Sequence, residues 1–322
     1  MCTAASYLHR YFGRNLDLAF TYRESVVVMP RRFPLRFRAG VSWASHYAMV
    51  GMATVADGYP LFYEATNEKG LSIAGLNFPG YAAAWPYREG MDNVAVFELI
   101  PWLLGQFETV AQVRRAIPRL NLWDERFSPE LPNATLHYLI SDATESITLE
   151  PVREGLRVYD NPVGVLSNNP PFDYQMLHLA DFMGLSPEHP ENRFSSRLEL
   201  SPYCLGMGAM GLPGDLSSAS RFVRAAFANL NAVPGGTEEE NVTQFFHILN
   251  TVAQTKGLAR ADEGKFEYTV YSSCCDAKTG VYYYTTYQNS QLTAVDMHRE
   301  NLDGAALAVY PMVKSQQIRR EN

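Results

Sequence analysis

Cysteine is scarce in this sequence. Only Cys2, Cys204, Cys274 and Cys275 occur in 322 residues, with no CxxC pair and no His/Cys spacing of the kind that encloses zinc. A disulfide framework is therefore not expected. No stretch of about 18 uninterrupted apolar residues occurs, which argues against a membrane-spanning helix. The opening MCTAASYLHR lacks a basic segment followed by an apolar one, so the chain reads as cytoplasmic. The net charge of −7 is spread without long runs of one sign, leaving no electrostatic footprint for nucleic acid or an anionic membrane. Low-complexity linkers, internal repeats and shifts of composition are also missing, so residues 1–322 are read as one domain.

With 47% hydrophobic and 19% charged residues, the chain can bury a sizeable core. Short β-rich runs recur: SVVVMP, HYAMVGMATVA, LSIAGLNFP, ATLHYLISD, KFEYTVYSSCC, KTGVYYYTTY and LTAVDMH, enough for two sheets. SITLEPVREGLRVYDNPVGVLSNN reads as a meander, with REG and DNP as its turns. Thr237 with Glu240 forms a capping box before Val242, Phe245, Phe246 and Leu249 at helical spacing. NVAVFELIPWLLGQF, 109–117, DYQMLHLADFM and SRFVRAAFANL also read as helices. Paired helices between runs of strands point to an α+β architecture.

Cys2 follows the initiator methionine, and that position has chemical meaning. A free cysteine with an ordinary pKa of about 8.5 is only a few per cent thiolate at neutral pH, so a nucleophilic cysteine needs a base. Once Met1 is removed, the α-amino group of Cys2, with an ordinary pKa of about 7.7–8.0, can take up the thiol proton directly or through water. The plain alternative is an incidental terminal thiol.

Partners for such a nucleophile are present. YFGRNLDLAF carries Arg14 and Asp17 in an otherwise apolar run. Residues three apart on a strand face opposite sides, so convergence of the two predicts a bend at Gly13, the alternative being an edge strand with surface charges. Asn77, Asn168 and Asn169 end apolar strands, where asparagine serves turns but where a side-chain amide can also donate to an oxyanion. Arg221 falls in or near the first turn of a helix, against the helix dipole, and so requires an anionic or acceptor partner. His137, in an alternating strand, and His247, on a helix, read as structural. Of the adjacent Cys274 and Cys275, one is expected to point inward as a small hydrophobe.

Eight collinear segments carry a resemblance across nearly the whole chain: MCT, FGRNLD, NEKGL with AGLNFPGY, PNATLHYLISD, GVLSNNPPFDY, GLPGD with SRFVRAAF, FFHILN, and YYYTTY with MHRENLDG. Together they resemble the choloylglycine hydrolase family of N-terminal-nucleophile hydrolases. The resemblance implies a four-layer αββα sandwich with two mainly antiparallel sheets. It makes Cys2 the nucleophile in an active chain of residues 2–322, with Asp17 binding the freed amine. Arg14 and Arg221 would flank the sulfur, and the Asn168 amide would combine with a backbone N–H at Asn77 as the oxyanion site.

The family divides between bile salt hydrolases and penicillin V acylases, and AGLNFPGY resembles the bile salt branch. The implied reaction is cleavage of the amide joining a bile acid to glycine or taurine, without metal or cofactor, by a homotetramer. Leu16, Tyr22, Tyr63, Phe127, Leu131 and Leu136 are candidates for the apolar walls a steroid requires, each equally suited to the core. The GMG at 206–208 is a candidate loop near the leaving group. Alternatives are a penicillin V acylase, a thiol hydrolase using an internal cysteine with a histidine, and a non-catalytic sandwich that binds steroids or lipids.

Overall fold

Alternate side chains of the strand Ser25–Met29 belong to different hydrophobic cores. Val26 and Val28 pack in one cluster, Val27 and Met29 in the other. A strand whose successive residues are all apolar must be covered on both faces, and this burial is repeated in the central strands Cys2–Tyr7 and Ser146–Val152 of the computed structural model, which describes residues 1–261 and 264–322.

The larger sheet has eight strands in the order Gly155–Asp160, Ser146–Val152, Leu136–Ser141, Ser72–Asn77, Tyr59–Asn67, Met49–Ala56, Ser25–Met29 and Ala308–Pro311. The other runs Val165–Leu166, Cys2–Tyr7, Tyr11–Leu18, Phe266–Asp276, Val281–Thr286, Asn289–Asp296, with the short Ala259–Arg260 paired to Phe266–Asp276. Neighbours in both sheets are antiparallel.

The inner faces meet in a core that joins Cys2, Ala4 and Leu16 to Val26, Val50, Ala74, Leu76 and Leu139. Helices Ser218–Asn231 and Glu238–Asn250 cover the outer face of the seven-stranded sheet, while Leu99–Leu104 and Val110–Ala116 cover that of the eight-stranded one. The result is the expected α+β fold of four layers, helix, sheet, sheet, helix. No helix among the described residues is long and apolar enough to cross a membrane.

Local signals account for the helices. Thr237 and Thr109 are N-caps, each closing a capping box, with Glu240 and Gln112 respectively. The run NVAVFELIPWLLGQF divides. Asn93–Ala95 belong to the strand Asp92–Ala95, parallel to Leu120–Trp123, and the α-helix begins only at Leu99. The meander is corrected too. Ser146–Val152 and Gly155–Asp160 form a hairpin, but Val165–Leu166 leaves that sheet and pairs with Ala4 and Ala5 in the other. Asn161 makes this crossing, its Nδ2 donating to Thr148 Oγ1 on one side and to the Val165 carbonyl on the other. Cys274 and Cys275 are both buried, since their strand is covered on both faces.

Candidate active site

Cys2 opens the strand Cys2–Tyr7 and is 2% exposed. The antiparallel register sets Cys2 opposite Leu16, Thr3 opposite Asn15 and Ala4 opposite Arg14. Side chains of directly paired residues share a face and alternate along each strand. Cys2, Arg14 and Leu16 therefore project between the sheets, while Thr3, Asn15 and Asp17 project toward the helices.

The contacts agree. The Arg14 guanidinium reaches across to the other sheet, Nη1 donating to the carbonyls of Gly75 at 2.6 Å and Tyr63 at 3.2 Å, with Glu64 at 3.9 Å. Asn15 Nδ2 donates to the Leu249 carbonyl on a covering helix. The buried Asp17 carboxylate accepts from Thr269 Oγ1 at 2.6 Å and Gln254 Nε2 at 3.3 Å.

The expected bend at Gly13 is therefore absent. Gly13 sits in register opposite Ala5 and is required for a different reason: a Cβ there would lie 1.9 Å from the Ser273 carbonyl oxygen. Arg14 and Asp17 project from opposite faces of one strand, the cation on the side of the thiol and the carboxylate on the side of Thr269 and Gln254. Burial is the largest influence on each. It raises the Asp17 carboxyl above its ordinary value despite the opposing pull of Arg221. For Arg14, burial pushes the guanidinium down, but Cys2, Tyr271 and Glu64 outweigh it and hold the charge.

Arg221 stands fully buried in the helix Ser218–Asn231. Its Nη1 donates to the Cys2 carbonyl and to Thr3 Oγ1, both at 2.5 Å, and its Nη2 to Asn168 Oδ1 at 2.9 Å. These acceptors explain a cation near a helix N-terminus. Arg221 thus meets Cys2 at its carbonyl, on the face opposite Arg14. Burial lowers its pKa, opposed by Asp17 and Cys2.

Asn168 joins these groups. Its Oδ1 accepts from the Cys2 main-chain N–H at 2.7 Å as well as from Arg221, which fixes the orientation of the amide. Its Nδ2 then faces the Asn77 carbonyl at 2.8 Å. One of its two N–H groups is used in that bond.

A cavity of about 480 Å³ opens from this point. Cys2, Arg14 and Asn77 line one part, and Leu16, Tyr22, Tyr63, Phe127, Leu131 and Leu136 all contribute to its walls. Leu18, Leu61, Val96 and Phe97 line it too and were not singled out in the sequence, where nothing distinguishes them from core residues. Phe127 is held edge-on to Phe97 at 5.3 Å, and its carbonyl accepts from Arg38. Gly208 does not approach the cavity. Its close neighbours are the carbonyls of Ser186 and Glu188.

Met1 caps the site. Its ammonium donates to Glu267 Oε2 and the Asp17 carbonyl, both at 2.8 Å, and its own carbonyl accepts from Asp17 N–H at 2.9 Å. While Met1 is attached, the Cys2 nitrogen is an amide and cannot take up a proton. Thr269, Gln254 and Glu267 complete this corner, and their part is invisible in the sequence because they lie some 240 to 270 residues from the terminus they surround.

A family model for linear amide C–N hydrolases, choloylglycine hydrolase family, matches residues 2–310. The chain belongs to the choloylglycine hydrolase family. It is an N-terminal-nucleophile hydrolase in which Cys2 fits the nucleophile.

The chain is 52% identical over 314 residues to the bile salt hydrolase/transferase of Lactiplantibacillus plantarum, covering 97% of each. It is 36% identical to the conjugated bile acid hydrolase of Lactobacillus acidophilus, over 96% of this chain and all of that protein. The crystal structure of the C2A mutant of the conjugated bile acid hydrolase from Clostridium perfringens superposes over the full length of both chains, with TM-score 0.92 and 37% identity. The penicillin V acylase of Agrobacterium tumefaciens shares the fold at 20% identity and TM-score 0.75, covering 96% of this chain and 90% of that one.

Proposed function

We propose that this choloylglycine hydrolase family member cleaves the amide that joins a bile acid to glycine or taurine, with Cys2 as nucleophile in a single-domain chain that begins at residue 2. The observation that carries the reading is the cavity: it runs from Cys2 between walls of Leu16, Tyr63, Phe127, Leu131 and Leu136, an apolar trough with reactive and polar groups at one end.

In the mechanism, loss of Met1 leaves an α-amine at the position where the Cys2 N–H meets Asn168 Oδ1. The amine takes up the thiol proton and Sγ attacks the amide carbonyl, with Arg14 on the same face to favour the thiolate. The developing oxyanion accepts from the second N–H of Asn168 and from a main-chain N–H at Asn77. Collapse breaks the C–N bond, and the proton held by the amine passes to the departing nitrogen of glycine or taurine. Water, deprotonated by the same amine, then attacks the thioester and releases the bile acid. Arg221 holds the Cys2 carbonyl and the Thr3 hydroxyl from the opposite face, and the Asp17 carboxylate on that face binds the freed amine, so that amine and thiol keep their mutual position.

The proposal extends to a homotetramer working in the cytoplasm. The segment 183–212 supports assembly, since Met183, Phe194, Tyr203 and Leu205 are each more than four-fifths exposed, an apolar display that a second copy would cover. The deciding experiment is hydrolysis of glycocholate, taurocholate and penicillin V side by side by the Met1-free protein. The conjugated bile salts are expected to have kcat/KM well above penicillin V. Comparable turnover of penicillin V would assign the chain to the acylase branch, and failure to cleave any of them would leave a binding protein.

A further inference from the structure

A buried acid and base that the reaction does not use lie between the two segments of the oxyanion site. His137 is fully buried on the strand Leu136–Ser141, opposite Leu76 of the strand that ends in Asn77. Its ring stacks on Phe78, the residue after Asn77, with centroids 4.2 Å apart and planes 7° from parallel. Its Nε2 is 2.8 Å from the carbonyl oxygen of Ser167, the residue before Asn168. Its Nδ1 is 3.1 Å from Glu150 Oε1, and that oxygen also accepts from the N–H of Phe172, which begins the helix after Asn168.

The partners decide what the imidazole does. A carbonyl can only accept, so Nε2 carries a proton and donates to Ser167. Nδ1 lies within hydrogen-bond distance of Oε1, and this contact fixes the plane of the ring. One side chain from the eight-stranded sheet therefore clamps both segments: it donates to the main chain beside Asn168 and stacks on the ring beside Asn77.

We propose that His137 is a positioning residue, oriented by Glu150, that sets the distance between the two oxyanion donors. The proposal rests on the assignment of Asn77 and Asn168 as those donors. The donors reach the site from different sheets, and an oxyanion is stabilised only if both lie within hydrogen-bond reach of one point. Relaxation of either segment by about 1 Å can lower the rate on the order of 100-fold. Attack by the thiol on a saturated carbon forms no oxyanion and is not subject to this loss.

The test compares two reactions of Cys2 in Met1-free protein, in a Cys204→Ser background because Cys204 is exposed. With p-nitrophenyl acetate, Sγ adds to the carbonyl, the S–acetyl bond forms and p-nitrophenolate leaves. With iodoacetamide, Sγ displaces iodide. His137→Phe preserves an aromatic stack on Phe78 but removes both nitrogens. It is expected to slow acetylation ~10–100-fold, while alkylation of Cys2, read by mass on the N-terminal peptide, stays within about twofold of the parent.

His137→Gln, which can still donate to the Ser167 carbonyl, is expected to recover most of the acetylation. On any amide the parent cleaves, the loss should fall on kcat with KM little changed. Equal loss of both reactions, no loss of either, or no rescue by Gln would overturn the proposal. Should His137→Phe be insoluble, Glu150→Gln is read in its place, with the same selective loss expected and an unchanged ratio overturning it. Absence of glycocholate hydrolysis by the parent would remove the bile salt reading alone, because the ratio of the two Cys2 reactions is still measured.

Discussion

The side-chain amide of Asn168 donates across 2.8 Å to the main-chain carbonyl of Asn77, and this bond ties the end of a strand in one sheet to a loop leaving the other. Asn168 also accepts from Cys2 N–H and from Arg221, so one buried amide meets the nucleophile's main chain, a helix and the opposite sheet. Asn168→Ala is expected to lower kcat on the order of 10²–10³-fold through loss of the oxyanion donor. The melting temperature should fall as well, because the buried Arg221 loses an acceptor. Steady-state kinetics and a thermal melt of the same preparation check both, and turnover near the parent level in a folded variant would remove Asn168 from the oxyanion site.

Asp17 predicts a pH dependence. Burial raises its folded-state pKa above the ordinary 3.8, so within that window the folded chain binds more protons than the unfolded one. Parent stability contributed by this group therefore falls as pH rises through the window. Asn at position 17 does not titrate. The melting temperature of Asp17→Asn relative to parent should thus be higher at about pH 7 than at about pH 4, while kcat is expected to fall because the carboxylate is the proposed partner of the freed amine. A relative stability that moves the other way would show that the carboxylate is better stabilised in the fold than in water.

In the proposed mechanism, removal of Met1 is the condition for activity. Its ammonium and carbonyl occupy the corner formed by Asp17 and Glu267, and its peptide bond ties up the nitrogen required as base. Intact mass of active enzyme should show a chain starting at Cys2. Protein with an uncleaved N-terminal extension should lack amidase activity while keeping its fold. Full activity with the extension in place would end the amine-base mechanism.

Phe127 tests the trough. It lies in the wall with Phe97 beside it and its carbonyl held by Arg38. Truncation to alanine should cost about 1–3 kcal/mol in kcat/KM for conjugated bile salts, with little effect on alkylation of Cys2. Indifference of bile salt kinetics to Phe127→Ala would place the steroid elsewhere.

Much of this protein was legible in its sequence. Turn residues, a capping box and β-rich runs marked most strands, and each of the five segments read as helical contains α-helix, because those signals are local: a threonine caps the helix that follows it, and a glycine turns the chain where it stands. The segments around Cys2, Arg14, Asp17, Asn77, Asn168 and Arg221 carried the family resemblance without any knowledge of their contacts. Tertiary structure decided what each side chain meets. Asp92–Ala95 is a strand because Leu120–Trp123 lies alongside it, and Val165–Leu166 leaves its hairpin because an edge beside Cys2–Tyr7 is open to it. Arg14 and Asp17 work from opposite faces because the register with Cys2–Tyr7 keeps the strand regular through Gly13. Glu267, Thr269, Gln254 and His137 gain their places only when the two sheets close on each other. Sequence periodicity records which face of an element is buried, whereas the partner across that face is chosen by packing between segments that are hundreds of residues apart.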